Sequence, residues 1–445
     1  MAEWNRHTPT GVCDILPDEC AAKKEIESTI WSVLASMGYR EVEVPTFEYY
    51  DVFAKSGGQI SQENMFKFFD EKGRILTLRP DITTSIARMA ATKDDLTVLP
   101  KRYCYTGNVF RAEETQGARQ REFTQAGVEL IGSYKPEADA EVIAAVIESV
   151  LAIGIEEFSM EIGQVAFFNG LVEQAGLNGE ETEKLRERID SKDSLGIKEL
   201  VSDLDIADNV KELFAKLPSL FGGVEVLVSA DVEGLNATSK AALVNIRRIF
   251  DLLTLYGFEK YISIDLGMLQ SIDYYTGSIF KCYTHGVGFP ICAGGRYDNL
   301  VEHFGVKTGA VGAALGINRI MAALRSKGSE NHTQPAMTVI FPEVNAEGIA
   351  YDMAYTLRLN GCQIEQYIGD GDYTDCEKYS QIVGAGAMMR IYPDGKVQIK
   401  DFIRNEITET TAQEFLGYYD DDDDECDCGC GGHHHDHDCN SGHHH

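Results

Sequence analysis

The sequence contains no apolar run long enough to cross a membrane. The opening residues, from Met1 to Arg6, also lack the apolar segment that a secretory signal requires. These two absences point away from the membrane and secreted classes and predict a cytoplasmic protein. The 445 residues, of which 44% are hydrophobic and 25% charged, are typical of a soluble protein with two or three domains.

Positive charge is scarce, because 40 Lys and Arg stand against 71 Asp and Glu. The formal net charge of −31 opposes non-specific binding to nucleic acids, where Lys and Arg must replace the counterions of the phosphates. A local basic groove remains compatible with this composition.

The cysteines lack the regular spacing of a disulfide framework. Four of the eleven lie near the C-terminus, and the other seven are scattered through the body of the chain. In a reducing cytoplasm these seven are expected to be buried free thiols. They are Cys13, Cys20, Cys104, Cys282, Cys292, Cys362 and Cys376.

A long helix followed by a strand opens the chain. The helix is predicted from Asp18 to Met37, and Gly38 suits the left-handed position after its end. Its apolar residues at helical spacing are Ile26, Ile30, Trp31, Val33, Leu34 and Met37. Alternation from Tyr39 to Val44 then predicts a strand that stops at Pro45.

A second helix is predicted to begin close to polar residues. The short strand at Ile75 to Leu78 leads through Arg79-Pro80-Asp81 into this helix, with proline in its first turn. Asp81 and Thr83 therefore lie where a helix N-terminus faces the open end of a sheet. They either cap the helix or face a ligand.

Two predicted strands, Tyr103 to Glu113 and Arg121 to Ile131, are joined by a polar loop. Residues at period two share one face of a strand. On the second strand that face carries Arg121, Phe123, Gln125, Gly127 and Glu129. These residues make a poor core, so the face is either solvated or part of a polar pocket for a small zwitterion or a nucleotide.

The second half of the body contains two further motifs. The stretch from Leu269 to Gly277, with its adjacent tyrosines Tyr274 and Tyr275, precedes Gly294-Gly295-Arg296-Tyr297-Asp298. By themselves these residues are compatible with a core hairpin and a tight turn. A strand of small residues from Gly309 to Gly316 then leads into a helix that carries Arg319.

The chain is predicted to have two domains and a tail. The first domain spans 1–326, with a helical insertion at about 165–256, and a polar linker at 327–335 leads to a small α/β domain at 336–419. The tail at 420–445 is acidic and then rich in Cys and His, a composition that predicts no packed structure. Its candidate ligands for a transition metal are Cys426, Cys428, Cys430, His433, His435, His437 and Cys439. Adventitious chelation explains these residues equally well.

Taken together, the segments from about Thr8 to Leu324 resemble the class II catalytic fold of histidyl-tRNA synthetase. The motifs that carry the resemblance are Glu41 to Pro45, Phe110 to Glu113 with Arg119 to Gln125, Gly312 to Arg319, Ile272 to Gly277 and Gly294 to Asp298. The resemblance implies an α+β fold with a class II aminoacyl-tRNA synthetase-like antiparallel sheet and flanking helices. It also implies that the C-terminal α/β domain is a reduced anticodon-binding domain.

The resemblance assigns roles to particular residues. Asp81, Thr83 and Gln125 would hold the ammonium group of histidine, and Glu129 and Tyr275 would hydrogen-bond the two imidazole nitrogens. In a working synthetase Arg111 and Arg319 would contact ATP phosphates. The complete predicted histidine-binding set is Asp81, Thr83, Arg111, Gln125, Glu129, Tyr274 and Tyr275.

Two departures from the synthetase pattern bear on activity. Gln270 occupies the position of an arginine beside the reacting groups, and losing one such contact typically costs about 10²–10³ in rate. The run Arg79-Pro80-Asp81-Ile82-Thr83 resembles the non-synthetase branch, which is the regulatory subunit of ATP phosphoribosyltransferase. That resemblance implies a non-catalytic protein that works with a short catalytic subunit in the first step of histidine biosynthesis and binds L-histidine for feedback.

The resemblance also implies a homodimeric core. Binding to tRNA or to a membrane is not expected, and no cofactor is expected to be required. A divergent histidyl-tRNA synthetase is the first alternative, because Arg111, Arg119, Arg121 and Arg319 remain. A metal-binding protein that acts through its tail is the second alternative.

Overall fold

The computed structural model describes residues 6–54, 62–112, 120–202, 204–230, 233–269, 275–327 and 337–420. The chain divides into two compact units, Met1–Glu330 and Asn331–His445. Most of the predicted linker at 327–335 and all but the first residue of the tail at 420–445 lie outside the described residues.

The first unit combines long helices with many short strands. Its first half contains α1 (Pro17–Ser36), β1 (Arg40–Glu41), β2 (Phe47–Tyr49), α2 (Tyr50–Ala54), β3 (Lys67–Phe69), β4 (Ile75–Leu78), α3 (Thr83–Lys93), β5 (Lys101–Phe110), β6 (Glu122–Ile131), α4 (Pro136–Ala152) and β7 (Phe158–Gln164). Its second half contains α5 (Val165–Ala175), α6 (Gly179–Asp190), α7 (Ser194–Ser202), α8 (Asp208–Lys216), β8 (Phe221–Gly222), α9 (Glu225–Ala230), α10 (Ala237–Leu255), β9 (Ile262–Asp265), β10 (Ser278–Thr284), β11 (Cys292–Arg296), β12 (Ala310–Gly316) and α11 (Ile317–Ser326).

Helix α1 begins at Pro17, because proline lacks only an N–H that the first helical turn leaves unpaired anyway. Its buried stripe repeats every fourth residue and consists of Ala22, Ile26, Ile30 and Leu34. Trp31 was predicted in the same stripe but is 46% exposed, since it lies about 100° around the helix from Ile30. Gly38 has the left-handed φ of 84° that was predicted after the helix.

The main sheet of the first unit has nine strands in the order β1-β5-β6-β12-β11-β10-β7-β9-β8. Strand pairing is antiparallel except for β1 with β5 and β7 with β9, which are parallel. A separate three-stranded sheet has the order β2-β4-β3. This architecture of a largely antiparallel sheet with flanking helices confirms the predicted α+β class.

The two faces of the nine-stranded sheet have different partners. On β6 the side chains of Ala126, Val128 and Leu130 join the core that contains α1, α4 and α10. The alternate residues, among them Gln125 and Glu129, therefore point to the opposite face. That face carries the second core cluster, which includes Tyr103, Tyr105, Tyr275 and Tyr297 together with residues of α3.

The second unit contains a smaller sheet with helices. Its elements are β13 (Thr338–Pro342), α12 (Glu347–Leu359), β14 (Ile364–Gln366), α13 (Tyr373–Ile382), β15 (Ala387–Ile391), β16 (Lys396–Asp401), β17 (Glu406–Thr411) and α14 (Ala412–Asp420). The strand order is β14-β13-β15-β16-β17, with β13 parallel to both of its neighbours.

Helix α13 begins at Tyr373, because the Asp372 side chain accepts hydrogen bonds from two N–H groups of its first turn. Strand β17 and helix α14 were not predicted. The side chains of β17 are nearly all exposed, so the strand shows no alternation of apolar and polar residues.

All seven described cysteines are free thiols. Cys104, Cys282, Cys292 and Cys376 are buried, as predicted. The prediction of burial was wrong for Cys13, which is exposed and lies before the first helix, and only partly right for Cys20 and Cys362, which are half-buried.

Candidate ligand-binding site

A cleft of about 310 Å³, its open mouth included, lies on the face of the nine-stranded sheet opposite to α4. The register of the strands brings its parts together, since Glu129 of β6 pairs with Gly312 of β12, and Gly312 pairs with Gly295 of β11. The residues that line the cleft are Asp81, Thr83, Gln125, Tyr275, Ala293, Tyr297, Gly312, Ala313 and Ala314. Four of the predicted site residues are therefore at the cleft, namely Asp81, Thr83, Gln125 and Tyr275.

Asp81 lies two residues before the start of α3 and is 5% exposed. One of its carboxylate oxygens accepts a hydrogen bond of 2.8 Å from the Thr84 N–H, which is a capping contact. Burial raises the pKa of Asp81, while its hydrogen bonds with Thr84 and the charge of Arg111 act in the opposite direction. The same carboxyl group thus caps α3 and lines the cleft, so the two interpretations of Asp81 do not exclude each other.

Glu129 is fully buried behind the lining of the cleft. The Thr83 hydroxyl donates to its Oε1 atom at 2.6 Å, and the Tyr297 hydroxyl donates to its Oε2 atom. Burial raises the pKa of Glu129 to about 8, although both hydroxyl donors favour the ionised form. A carboxyl group held in this way can gain or lose a proton near neutral pH.

Gly312 makes room for the Glu129 carboxylate. A Cβ atom at position 312 would lie 1.6 Å from the Oε2 atom of Glu129. Any other residue at this position would therefore displace the carboxylate that the two hydroxyls hold. The close contact with Glu129 thus explains why the predicted strand of small residues, Gly309 to Gly316, has glycine at position 312.

Tyr105 contributes a second polar group beside Glu129. Its side chain is 3% exposed, and its hydroxyl lies close to the Thr83 side chain but makes no hydrogen bond of standard geometry within the part of the chain that the structure describes. Burial raises the pKa of Tyr105 well above its usual value, and the charge of Glu129 adds to this shift. A buried hydroxyl that lacks a well-formed hydrogen bond is rare, so a ligand that hydrogen-bonds to it would remove an existing penalty.

Comparison with known proteins shows the family of the chain. The family model described as histidyl-tRNA synthetase matches residues 11–320. An ATP phosphoribosyltransferase regulatory subunit of Acetivibrio thermocellus is 47% identical over 94% of this chain and 100% of that protein. The chain belongs to the family of ATP phosphoribosyltransferase regulatory subunits.

Two further similar proteins, one known by sequence and one by its crystal structure, agree with this family. The regulatory subunit of Ruminiclostridium cellulolyticum is 42% identical over 94% of this chain and 99% of that protein. The crystal structure of an ATP phosphoribosyltransferase regulatory subunit/histidyl-tRNA synthetase from Bacillus halodurans has a TM-score of 0.75 to this chain at 30% identity. It covers 87% of this chain and 97% of its own. The predicted family and the predicted class II synthetase-like fold are thereby confirmed.

Arg111 and Arg319, the two arginines that the resemblance assigned to ATP phosphates, contact other parts of this chain. Arg111 donates from Nε to the Pro80 carbonyl at 3.1 Å, and its guanidinium group lies 5.2 Å from the centre of the Phe123 ring. Arg319 donates to the Pro290 carbonyl at 2.7 Å. Neither is among the described residues that line the cleft.

Some predicted residues lie outside the described ones, among them Tyr274, Gln270 and the tail residues Cys426, Cys428, Cys430, His433, His435, His437 and Cys439. Within the described part of the chain, no group of three His, Cys, Asp or Glu side chains is arranged to hold a metal ion. None of the described helices is both long and apolar enough to cross a membrane. The role of Gln270 and metal binding by the tail remain predictions.

Tyr105 and Tyr297 are site residues that the sequence analysis did not assign. Tyr297 belongs to the Gly294 to Asp298 motif, but its partner Glu129 is 168 residues away in the sequence. Tyr105 lies at period two from Tyr103 on β5, and that alternation was the available signal for its face.

Proposed function

We propose that the chain binds L-histidine in this cleft and thereby regulates a short catalytic subunit of ATP phosphoribosyltransferase. The catalytic subunit would perform the first step of histidine biosynthesis, and this chain would be required for its activity without performing chemistry itself. The proposal rests first on family membership, because the relatives are named regulatory subunits. A homodimeric core and the absence of tRNA binding belong to the same proposal.

The observation that carries histidine binding is a pair of buried carboxyl groups. Asp81 lines the cleft, and Glu129 lies directly behind the lining, where Thr83 and Tyr297 of the cleft donate to it. Asp81 is suited to the ammonium group, because a cation next to a buried carboxyl group stabilises its ionised form and so offsets the effect of burial. Glu129 and the neighbouring hydroxyls of Tyr105 and Tyr275 suit an imidazole ring, which needs both a donor and an acceptor.

Feedback requires that histidine binds the inhibited assembly more tightly than the active one. The typical coupling of this kind is about 1–3 kcal/mol, which corresponds to a 5- to 150-fold difference in affinity. A ligand that bound both assemblies equally would not inhibit at all. The proposal therefore includes a lower affinity for histidine in the active complex.

Calorimetric titration of the full chain with L-histidine tests the binding step. We expect saturable binding to the wild-type chain and a loss of about tenfold or more in Glu129→Gln and Asp81→Asn, since each removes an ionisable partner of the ligand. L-Phenylalanine, which lacks the imidazole nitrogens, is the control ligand and should not bind measurably. Equal binding of both amino acids would contradict the proposal.

The enzyme alternative is tested by histidine-dependent exchange between ATP and pyrophosphate. We expect no exchange above background with the purified chain, because Gln270 supplies no full positive charge to the reacting groups. Exchange at rates typical of a synthetase would favour the divergent histidyl-tRNA synthetase instead. The metal alternative is tested by truncation before Asp420, which should leave histidine binding unchanged.

A further inference from the structure

A buried ion pair lies on the helix side of the sheet, directly behind the cleft. Arg296 at the end of β11 is 6% exposed, and Asp139 in the first turns of α4 is fully buried. The Nε atom of Arg296 lies 3.1 and 3.2 Å from the two carboxylate oxygens of Asp139. The Ser278 hydroxyl also donates to Asp139.

The remaining donors of Arg296 are occupied as well. Its Nη1 atom donates to the Ser133 carbonyl at 2.8 Å and to Asp298 at 3.0 Å, and its Nη2 atom donates to the Lys135 carbonyl at 3.2 Å. A guanidinium group has five N–H donors in a fixed planar arrangement, so these contacts fix the position and the orientation of Arg296. Lysine could not reproduce this set of contacts.

Arg296 is adjacent to a residue of the ligand site. Successive residues in a strand point to opposite faces, so Arg296 points toward α4 while Tyr297 points toward the cleft. The Tyr297 hydroxyl donates to Glu129, and the Tyr297 N–H donates to the Ala310 carbonyl at 2.8 Å. A shift of Arg296 would therefore move the hydroxyl that holds Glu129.

Arg296 also supports the segment that carries Tyr275. The Thr276 N–H donates to the Arg296 carbonyl at 2.8 Å. A Cβ atom at Gly277 would lie 3.0 Å from the Cδ atom of Arg296, so the backbone at Gly277 packs directly on the arginine side chain. Both tyrosines of the cleft are thus attached to the same buried arginine.

We propose that Asp139, acting through Arg296, is a positioning residue for the ligand site and sets the affinity of the cleft for histidine. Asp139 itself does not touch the ligand. It holds the guanidinium group in the one orientation that places Tyr297 against Glu129 and Tyr275 at the cleft wall. This inference rests on the proposed binding of histidine.

The test compares three full-length proteins by calorimetric titration with L-histidine at pH 7. Asp139→Asn removes the charge of the carboxylate at nearly constant shape. Glu137→Gln is the matched control, because Glu137 lies in the same helix turn and pairs with Arg248 at 3.0 Å, but is exposed. We expect a loss of affinity of about tenfold or more in Asp139→Asn and an unchanged affinity in Glu137→Gln.

The pH profile of binding separates positioning from a merely structural role. The Tyr297 hydrogen bond lowers the pKa of Glu129, so displacing Tyr297 should raise that pKa further. The upper pH limit of histidine binding should therefore move to higher pH in Asp139→Asn and stay in place in Glu137→Gln. A structural role alone would lower the melting temperature and leave this limit unchanged.

A second variant keeps the test decisive if Asp139→Asn folds poorly. The double variant Asp139→Leu with Arg296→Met replaces the pair by apolar side chains, a change that often preserves or increases stability. We expect it to fold and to bind histidine at least about tenfold more weakly than the wild type. Wild-type affinity in a folded Asp139→Asn or double variant would overturn this inference and leave the proposed function intact. No binding to the wild-type chain would overturn both.

Discussion

The Tyr297 hydroxyl donates a hydrogen bond to the Glu129 carboxylate, and both side chains are almost completely buried. This contact places an ionisable group with a pKa of about 8 directly behind the proposed ligand site. The protonation state of Glu129 is therefore expected to depend on pH in the physiological range and on the ligand.

The first prediction concerns stability as a function of pH. The pKa of Glu129 is raised in the folded chain, from 4.5 to about 8. Its contribution to stability is therefore fully present below about pH 4.5 and is lost as the pH rises toward 8. Over that range the wild type should lose a few kcal/mol that Glu129→Gln does not lose. Urea unfolding at pH 5 and pH 8 measures both proteins, and parallel losses would contradict the prediction.

The second prediction concerns the pH range of histidine binding. Glu129 and the imidazole together are expected to hold one proton in the complex, because an unpaired charge at this buried position is unfavourable. Below about pH 6.5 free histidine and Glu129 carry two protons, and above about pH 8 they carry none. Affinity should therefore be highest between these values and fall on both sides.

Titration calorimetry in buffers of different ionisation enthalpy measures the protons exchanged on binding. Release of protons is expected at pH 6 and almost none at pH 7.2. Glu129→Gln is the control, since it should show no change in affinity between pH 7 and pH 8. A wild-type affinity that is constant from pH 6 to pH 8 would contradict the assigned role of Glu129.

The third prediction concerns Asp81 and the amino group of the ligand. Asp81→Asn should weaken the binding of L-histidine by about tenfold or more, because it removes the charged partner of the ammonium group. Imidazolepropionate keeps the ring and the carboxylate but lacks the amino group, so the substitution should hardly change its affinity. Equal losses for both ligands would show that Asp81 acts through its cap on α3 instead.

The fourth prediction concerns the Tyr105 hydroxyl, which makes no hydrogen bond of standard geometry within the described residues, although the Thr83 side chain is close to it. Tyr105→Phe removes a buried group that has lost its contacts with water, so the ligand-free chain should gain about 1 kcal/mol of stability. The same variant should bind histidine more weakly. Thermal unfolding with and without histidine measures both effects, and a destabilised ligand-free variant would contradict this account of Tyr105.

Sequence periodicity was sufficient for much of the fold. A local pattern of residues was enough to predict the buried stripe of α1, the pair of strands β5 and β6, and the transition from β12 into α11. Strand β17 could not be predicted in this way, because its side chains are nearly all exposed. Its pairing with β16 depends on backbone hydrogen bonds that leave no apolar pattern.

The candidate site was predictable only in part, because some of its contacts join residues that are far apart in the sequence. Asp81, Thr83, Gln125 and Tyr275 belong to motifs with a recognisable order, and the cleft brings them together. The contacts of Glu129 with Tyr297 and of Arg296 with Asp139 join residues 168 and 157 positions apart. Such pairs are fixed by strand register and by helix packing on the sheet, which local sequence does not encode.

The most direct test of the central claim is the activity of a short catalytic subunit of ATP phosphoribosyltransferase, assayed with this chain over a range of L-histidine concentrations. We predict that the catalytic subunit alone is nearly inactive, that this chain activates it, and that histidine inhibits the complex. The same inhibition should be weakened in a complex made with Glu129→Gln. Full activity without this chain, or a complex that is indifferent to histidine, would contradict the account.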